Sequence, residues 1–352
     1  MKNAIKLVLF NLGLLLGGLL LAELCFGSWF SSQNYGALNL PRNVKRVFDV
    51  SHIYPQKEMA VYSRDSHGLR GEYKSPAEID ILTIGGSTTD QRYIGDGFTL
   101  QDQLEANFTK NGKNTTIVNA GVDGQTTIGN LALFDLWFPK IPSLKPRYIL
   151  VYTGINDVFA DEVAKHDAML SPSLSRQVEQ YFRNNSALFR AYNIIKGMIK
   201  AERAGLVHGK HKEEADNWVL LPKNYIFSSE VIAYESRAQA FGERVEKLIK
   251  KIRDFGAEAI IVSQARSEYR LVADGVMVPL AKNGNPNADT YGILRSFNQE
   301  SMLVCRNAKA ICIDLGNEIN LGEGDYYDHV HNTPRGAAKI GQYLYEKLNG
   351  VR

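Results

Sequence analysis

Five short, continuously apolar runs recur along the chain, each separated from the next by at least one helix-length segment. They are Asp80–Ile84 (DILTI), Thr116–Ala120 (TIVNA), Tyr148–Thr153 (YILVYT), Ala259–Gln264 (AIIVSQ) and Ala310–Asp314. A strand with no polar alternation must hide both faces, which places it inside a parallel sheet covered by helices on either side. The intervening segments supply those helices. Leu100, Leu104 and Phe108 recur at four-residue intervals, Val245, Leu248, Ile249 and Ile252 share one face of a Tyr234–Phe255 helix, and Thr290–Ala308 reads as another. The last helix has Thr333 as its cap, Pro334 at its first position, an Ile340, Leu344 and Leu348 stripe, and Gly350 as its stop. Right-handed crossovers then predict an α/β fold, a flavodoxin-like three-layer sandwich with a five-stranded parallel sheet. Its ligand site belongs beyond the carboxyl ends of the strands.

The N-terminus is built differently. Lys2 and Lys6 precede a Leu-rich run from Leu7 to Ala22, and after Glu23 the apolar character resumes through Phe30. That length spans a hydrocarbon core of ~30 Å. No small-x-small cleavage site follows, and Ala22-Glu23-Leu24 before Cys25 does not fit a lipoprotein signal. An uncleaved signal anchor over 1–30 is therefore expected, with its lysines in the cytoplasm. The body then lies outside the inner (cytoplasmic) membrane, periplasmic or extracellular. Residues 31–75 read as a stalk and lead-in, and 76–352 as the main domain. A helical insertion at about 160–233, with a helix over Leu188–Ile199, is either a lid or a docking surface.

Composition narrows the function. Lys and Arg number 41 against 38 acidic residues, a net charge of +3 with no basic run, so a nucleic-acid partner is not expected. Three cysteines exclude a disulfide scaffold. Cys305 and Cys312 can pair in an oxidising compartment or stay as two core thiols. No phosphate-binding, dinucleotide-binding or zinc-protease motif is present, and no G-x-S-x-G elbow. No cofactor or metal is expected.

Polar clusters close three strands and precede the last helix. They are Gly85-Gly86-Ser87, Asn119 through Gly124, Gly154-Ile155-Asn156-Asp157, and Asp328-His329-Val330-His331. A serine on a tight glycine turn exposes its hydroxyl. A histidine three residues after an aspartate can take the serine proton while the carboxylate holds the ring tautomer. The Ser87 and Gly124 backbone N–H groups and the Asn156 amide can supply donors to an oxyanion. Taken singly, each cluster also fits an anion-binding turn, a positive-φ turn or a helix cap. Asp49 to His52 repeats the Asp-x-x-His spacing but precedes no capped helix. His329 is a less suitable base, because Tyr326 rather than an acid lies three residues before it. His208 and His211 fit a polar linker better than a metal site.

In order and spacing, the four blocks resemble the SGNH hydrolase (GDSL esterase) superfamily over residues 80–349. The resemblance implies Ser87 as nucleophile, Asp328 and His331 as the acid–base pair, and Ser87, Gly124 and Asn156 as the oxyanion hole. One departure is Gly86, where the family often has aspartate. The segment Ser66-His67-Gly68-Leu69-Arg70-Gly71 is similar to one found ahead of the first block in membrane-attached members linked to exported polysaccharides. The implied function is a membrane-anchored serine esterase removing O-acetyl or similar groups from an acylated glycan or small molecule, near exopolysaccharide or cell-envelope machinery. An O-acyltransferase of the same fold and a non-catalytic glycan-assembly component are the alternatives.

Overall fold

The computed structural model describes residues 2–27, 29–30, 40–54, 59–159, 174–189, 191–192, 195 and 217–350. They gather into two compact units. One joins Met1–Asn39 with Ala168–Val207, and the other joins Leu40–Asp167 with His208–Arg352. The expected Leu188–Ile199 helix falls largely outside the described residues, as does the polar stretch with His208 and His211.

In the first unit, helix α1 (Lys2–Phe26) carries a 22-residue stretch, Ile5–Phe26, of mean hydropathy 2.2, none of it buried within the protein. At 1.5 Å per residue it is about 33 Å long, enough to cross a membrane. A second helix, Leu174–Asn185, belongs to the same unit.

The larger unit begins with an antiparallel hairpin, β1 (Val44–Asp49) and β2 (Met59–Arg64), within the stretch expected to be stalk. Val50, Ile53, Tyr54 and Ala60 of this region form a buried cluster with Tyr327. The hairpin escapes sequence reading because β1 has neither alternation nor a continuous apolar run, and most of it is exposed.

The central layer follows. After β3 (Ile81–Gly85) come a single turn, α2 (Ser87–Asp90), and helix α3 (Leu100–Lys110), whose start is fixed by a Thr99–Asp102 capping box. Then come β4 (Ile117–Asn119), α4 (Thr127–Leu136), β5 (Tyr148–Tyr152) and α5 (Ile155–Phe159). Past the insertion lie β6 (Trp218–Leu220), α6 (Glu235–Asp254) and β7 (Glu258–Val262). The chain continues through β8 (Arg270–Val272), β9 (Gly275–Pro279), α7 (Asp289–Asn307), β10 (Ile311–Ile313) and α8 (Pro334–Leu348).

Five strands form one parallel sheet in the order β10-β7-β5-β3-β4. Leu82, Ile84, Val118, Ile149, Leu150 and Ile260 within it are fully buried. Each such side chain contributes about 1.5–3 kcal/mol, so a one-residue slip of register is strongly disfavoured. Helices α3 and α8 pack together, as do α4, α6 and α7, giving the two outer layers. Chain order reverses between β3 and β5, so the carboxyl ends of these two strands flank the crevice where such sheets bind ligands. A separate three-stranded antiparallel sheet, β6-β9-β8, was not legible in the sequence; two of its strands are three residues long.

Candidate active site

The turn after β3 is shaped by its glycines. Gly86 caps α2, and a Cβ placed on it would stand 2.5 Å from Asn156 Nδ2 and 3.0 Å from the Gln125 carbonyl. Only glycine lets three chain segments approach this closely. Ser87 follows at the first position of α2, half-buried.

The loop after β4 is tied to the same turn. Val122 N–H donates to the Gly85 carbonyl at 3.0 Å, and Asn119 Nδ2 donates to the Thr89 carbonyl at 2.7 Å. Asn119 Oδ1 accepts from Gly121 N–H at 2.8 Å, which turns the chain toward Gly124. Gly124 has φ +77°, a left-handed conformation that favours glycine.

After β5, Asn156 Nδ2 donates to the Gln125 carbonyl at 2.8 Å. Its neighbour Asp157 accepts from Thr127 N–H at 3.0 Å and Thr127 Oγ1 at 2.5 Å, and pairs with Arg244 at 3.1 Å. Burial pushes the Asp157 carboxyl above its ordinary value, while Thr127 and Arg244 pull the other way. Asp157 thereby pins the Asn156 turn to the start of α4.

The fourth segment is self-organised. Asp328 Oδ1 accepts the backbone N–H groups of Val330 and His331 at 2.9 and 2.7 Å, and Tyr327 N–H donates to the His331 carbonyl at 3.0 Å. Its base is anchored by the fully buried Asp325, which holds Arg335 and Lys339 of α8 at 2.7 and 2.6 Å. The other carboxylate oxygen of Asp328 lies 2.7 Å from His331 Nδ1, and His331 Nε2 lies 2.8 Å from Ser87 Oγ. With the Nδ1 proton on the aspartate side, Nε2 faces the hydroxyl as an acceptor. This line can draw a proton from Ser87 and return it to a leaving group.

His329 takes no part in that line. It lies 3.2 Å from Glu268, whose carboxylate also accepts from Arg266 Nε at 3.0 Å. Among the described residues, no three His, Cys, Asp or Glu side chains are grouped to hold a metal.

The profile of the GDSL-like lipase/acylhydrolase family matches residues 83–339, which contain all four segments. The chain belongs to that family. It is accordingly a hydrolase acting on ester bonds. No curated protein matches it. Among solved structures, the chain is similar to TesA, with 12% identity, 76% of this chain and 97% of that one covered, and a TM-score of 0.42. Similar values hold for a putative lipolytic protein of the G-D-S-L family from Desulfitobacterium hafniense, with 10% identity, 76% and 99% coverage and a TM-score of 0.42. They hold also for Axe2, an acetylxylan esterase from Geobacillus stearothermophilus, with 13% identity, 78% and 95% coverage and a TM-score of 0.42.

Sequence reasoning missed the groups that brace this GDSL-family site from the lead-in. Arg64 of β2 is buried and pairs at 2.6 Å with the equally buried Asp90 of the turn that carries Ser87. It also donates to the Gly68 carbonyl at 2.6 Å and to the Gly121 carbonyl. Arg70 donates to the Asp90, Gln91 and Ile94 carbonyls at 2.7, 3.0 and 2.5 Å. Two arginines six residues apart, ahead of β3, were the available signal.

Proposed function

We propose that this hydrolase is a membrane-anchored serine esterase that works through an acyl-enzyme. The observation that carries the reading is the Ser87–His331–Asp328 line, with Nε2 at 2.8 Å and Nδ1 at 2.7 Å from their partners. His331 takes the Ser87 proton as Oγ bonds to the ester carbonyl carbon. Asp328 holds the ring and stabilises the imidazolium. Donors from Ser87 N–H, Gly124 N–H and Asn156 Nδ2 receive the oxyanion, each worth about 10²–10³ in rate for a well-placed group. The intermediate collapses, the carbon–oxygen bond to the alcohol breaks, and His331 gives that oxygen its proton. Water, deprotonated by His331, then attacks the acyl carbon, the acyl–Oγ bond breaks, and His331 returns the proton to Ser87.

Helix α1 is the anchor, in the inner membrane, and the larger unit works on its outer side. Support comes from the lysines at the short N-terminal end and from the Cys305–Cys312 disulfide, a bond that persists in oxidising compartments. The substrate is an O-acetylated glycan of the cell surface or an exported polysaccharide. This substrate class rests on the anchor, the outward placement and the lead-in segment around Arg70.

Aryl esters of increasing acyl length, supplied to the full chain in detergent, test the chemistry. Turnover of the acetate and its loss by at least about a thousandfold in Ser87→Ala are expected, with the circular dichroism unchanged. Undiminished turnover in Ser87→Ala overturns the assignment. Release of acetate from an acetylated polysaccharide tests the substrate class. Transfer of the acetyl group to an added glycan, with no free acetate, identifies a transferase instead.

A further inference from the structure

The two chain segments of the smaller unit meet at one side chain. Glu23 lies in the last turn of α1, about 4.5 Å of helix rise before Phe26. Its carboxylate accepts from Ser186 Oγ, from the backbone N–H groups of Ala187 and Leu188 at 3.0 Å each, and from Trp29 Nε1 at 2.8 Å. An acid at the edge of an apolar span is thus fully engaged, and the chain just after the Leu174–Asn185 helix is fastened there. Trp29 also meets Tyr181 and Phe182 edge-on, with ring centroids 5.8 Å apart in each case.

That helix has an apolar stripe. Leu174, Val178, Tyr181 and Phe182 fall at i, i+4, i+7 and i+8, and all are exposed, Leu174 at 79% and Val178 at 54%. Residues 174–200 carry Arg176, Arg183, Arg190, Lys196 and Lys200 against one acid, Glu179.

We propose that Leu174–Asn185 is an interfacial helix that lies on the same lipid surface α1 crosses, with Leu174 and Val178 immersed. The inference rests on reading α1 as a membrane span. Glu23 sets the depth: what it binds is held at the end of the span, where the hydrocarbon gives way to headgroups. Trp29, Tyr181 and Phe182 are the amphipathic rings favoured at that level. An exposed apolar stripe held there is covered by lipid, and the excess of basic charge complements an anionic surface. Leu174–Asn185 is then part of the membrane attachment, so the protein touches the bilayer at two points.

The full chain in a Cys25→Ser background, reconstituted in phosphatidylcholine vesicles with and without phosphatidylglycerol, provides the test. Nitroxide labels are placed singly at Val178→Cys, at Leu15→Cys within the span, and at Lys250→Cys on exposed α6. Relaxation by oxygen against a water-soluble nickel chelate reads the surroundings of each. The proposal expects an oxygen-to-nickel ratio at 178 severalfold above that at 250, lower than at 15, and higher with phosphatidylglycerol than without. A label at 178 as accessible to nickel as that at 250 overturns it, as does one shielded from both reagents, which means a protein cover. In either case a lipid-facing label at 15 leaves the anchor standing. An aqueous label at 15 removes the anchor and the proposal together.

Discussion

The ring of Tyr327 lies parallel to that of His331, with centroids 5.5 Å apart and 10° between the planes. Tyr327 is itself packed by Tyr54 at 6.1 Å and Tyr93 at 6.4 Å, so the hairpin region reaches the imidazole through one stacked ring. An aromatic pair contributes about 0.5–1.5 kcal/mol beyond burial, or roughly two- to tenfold in a rate that depends on ring position. Tyr327→Leu is therefore expected to lower kcat by that factor with KM little changed, and Tyr327→Phe to retain it. Steady-state kinetics on an aryl acetate, with urea unfolding alongside, separate loss of stacking from loss of stability.

Gly86 has no room for a side chain beside Asn156 Nδ2. Gly86→Ala is expected to displace the Asn156 amide and, on the mechanism proposed above, cost about 10²–10³ in kcat, the effect of losing one oxyanion donor. Asn156→Ala should cost as much, and the double variant little more than either alone. Fully additive losses would separate the two residues.

The Arg64–Asp90 pair is buried on both sides. Arg64→Met leaves the buried Asp90 carboxylate with Tyr62 Oη at 3.0 Å and the more distant Arg92 at 3.8 Å, so the cost is expected to reach at most the about 3–5 kcal/mol of a fully broken buried pair. The urea midpoint should fall accordingly, and Asp90→Asn in the same chain should restore part of the loss. Because Asp90 ends the turn that carries Ser87, kcat is expected to fall in the single variant before the fold is lost.

The Glu268 hydrogen bond raises His329 above its ordinary value of 6.5. Burial works to raise Glu268, but His329 and Arg266 outweigh it and hold its carboxyl below 4.5. For a raised histidine the stabilisation is complete below 6.5 and is lost as pH climbs through the folded value; for a lowered carboxylate it is complete above 4.5 and is lost as pH falls through the folded value. The pair is thus at full strength between these limits. An NMR titration should place the His329 midpoint above 6.5, and Glu268→Gln should bring it back toward that value.

Of the fold, the central sheet was legible to within a residue or two. Tyr148–Thr153 was expected and Tyr148–Tyr152 is observed, since a strand buried on both faces leaves an unbroken apolar run. Helix α4 went unnoticed because TIGNLALFDL is apolar on most sides and shows no stripe. The β1–β2 hairpin leaves no such mark, because VKRVFD has neither alternation nor an unbroken apolar run. Around the site, the order of the polar blocks and the local Asp328-to-His331 spacing could be read directly. The bracing by Arg64, Arg70, Tyr327 and Arg244 could not, because each reaches its partner from a distant part of the chain.

By itself, then, the sequence determined the five central strands and most of the long helices that cover them, where the apolar span lies, and which polar residues stand at strand ends. Those properties follow from local periodicity and from the reach of a few adjacent residues. Tertiary structure alone decided that His331 meets Ser87 across 244 positions, that a lead-in arginine holds the Ser87 turn, and that Glu23 gathers Ser186 through Leu188. Such contacts depend on how whole layers pack, and no period in the chain encodes the distance between two side chains that only packing brings together.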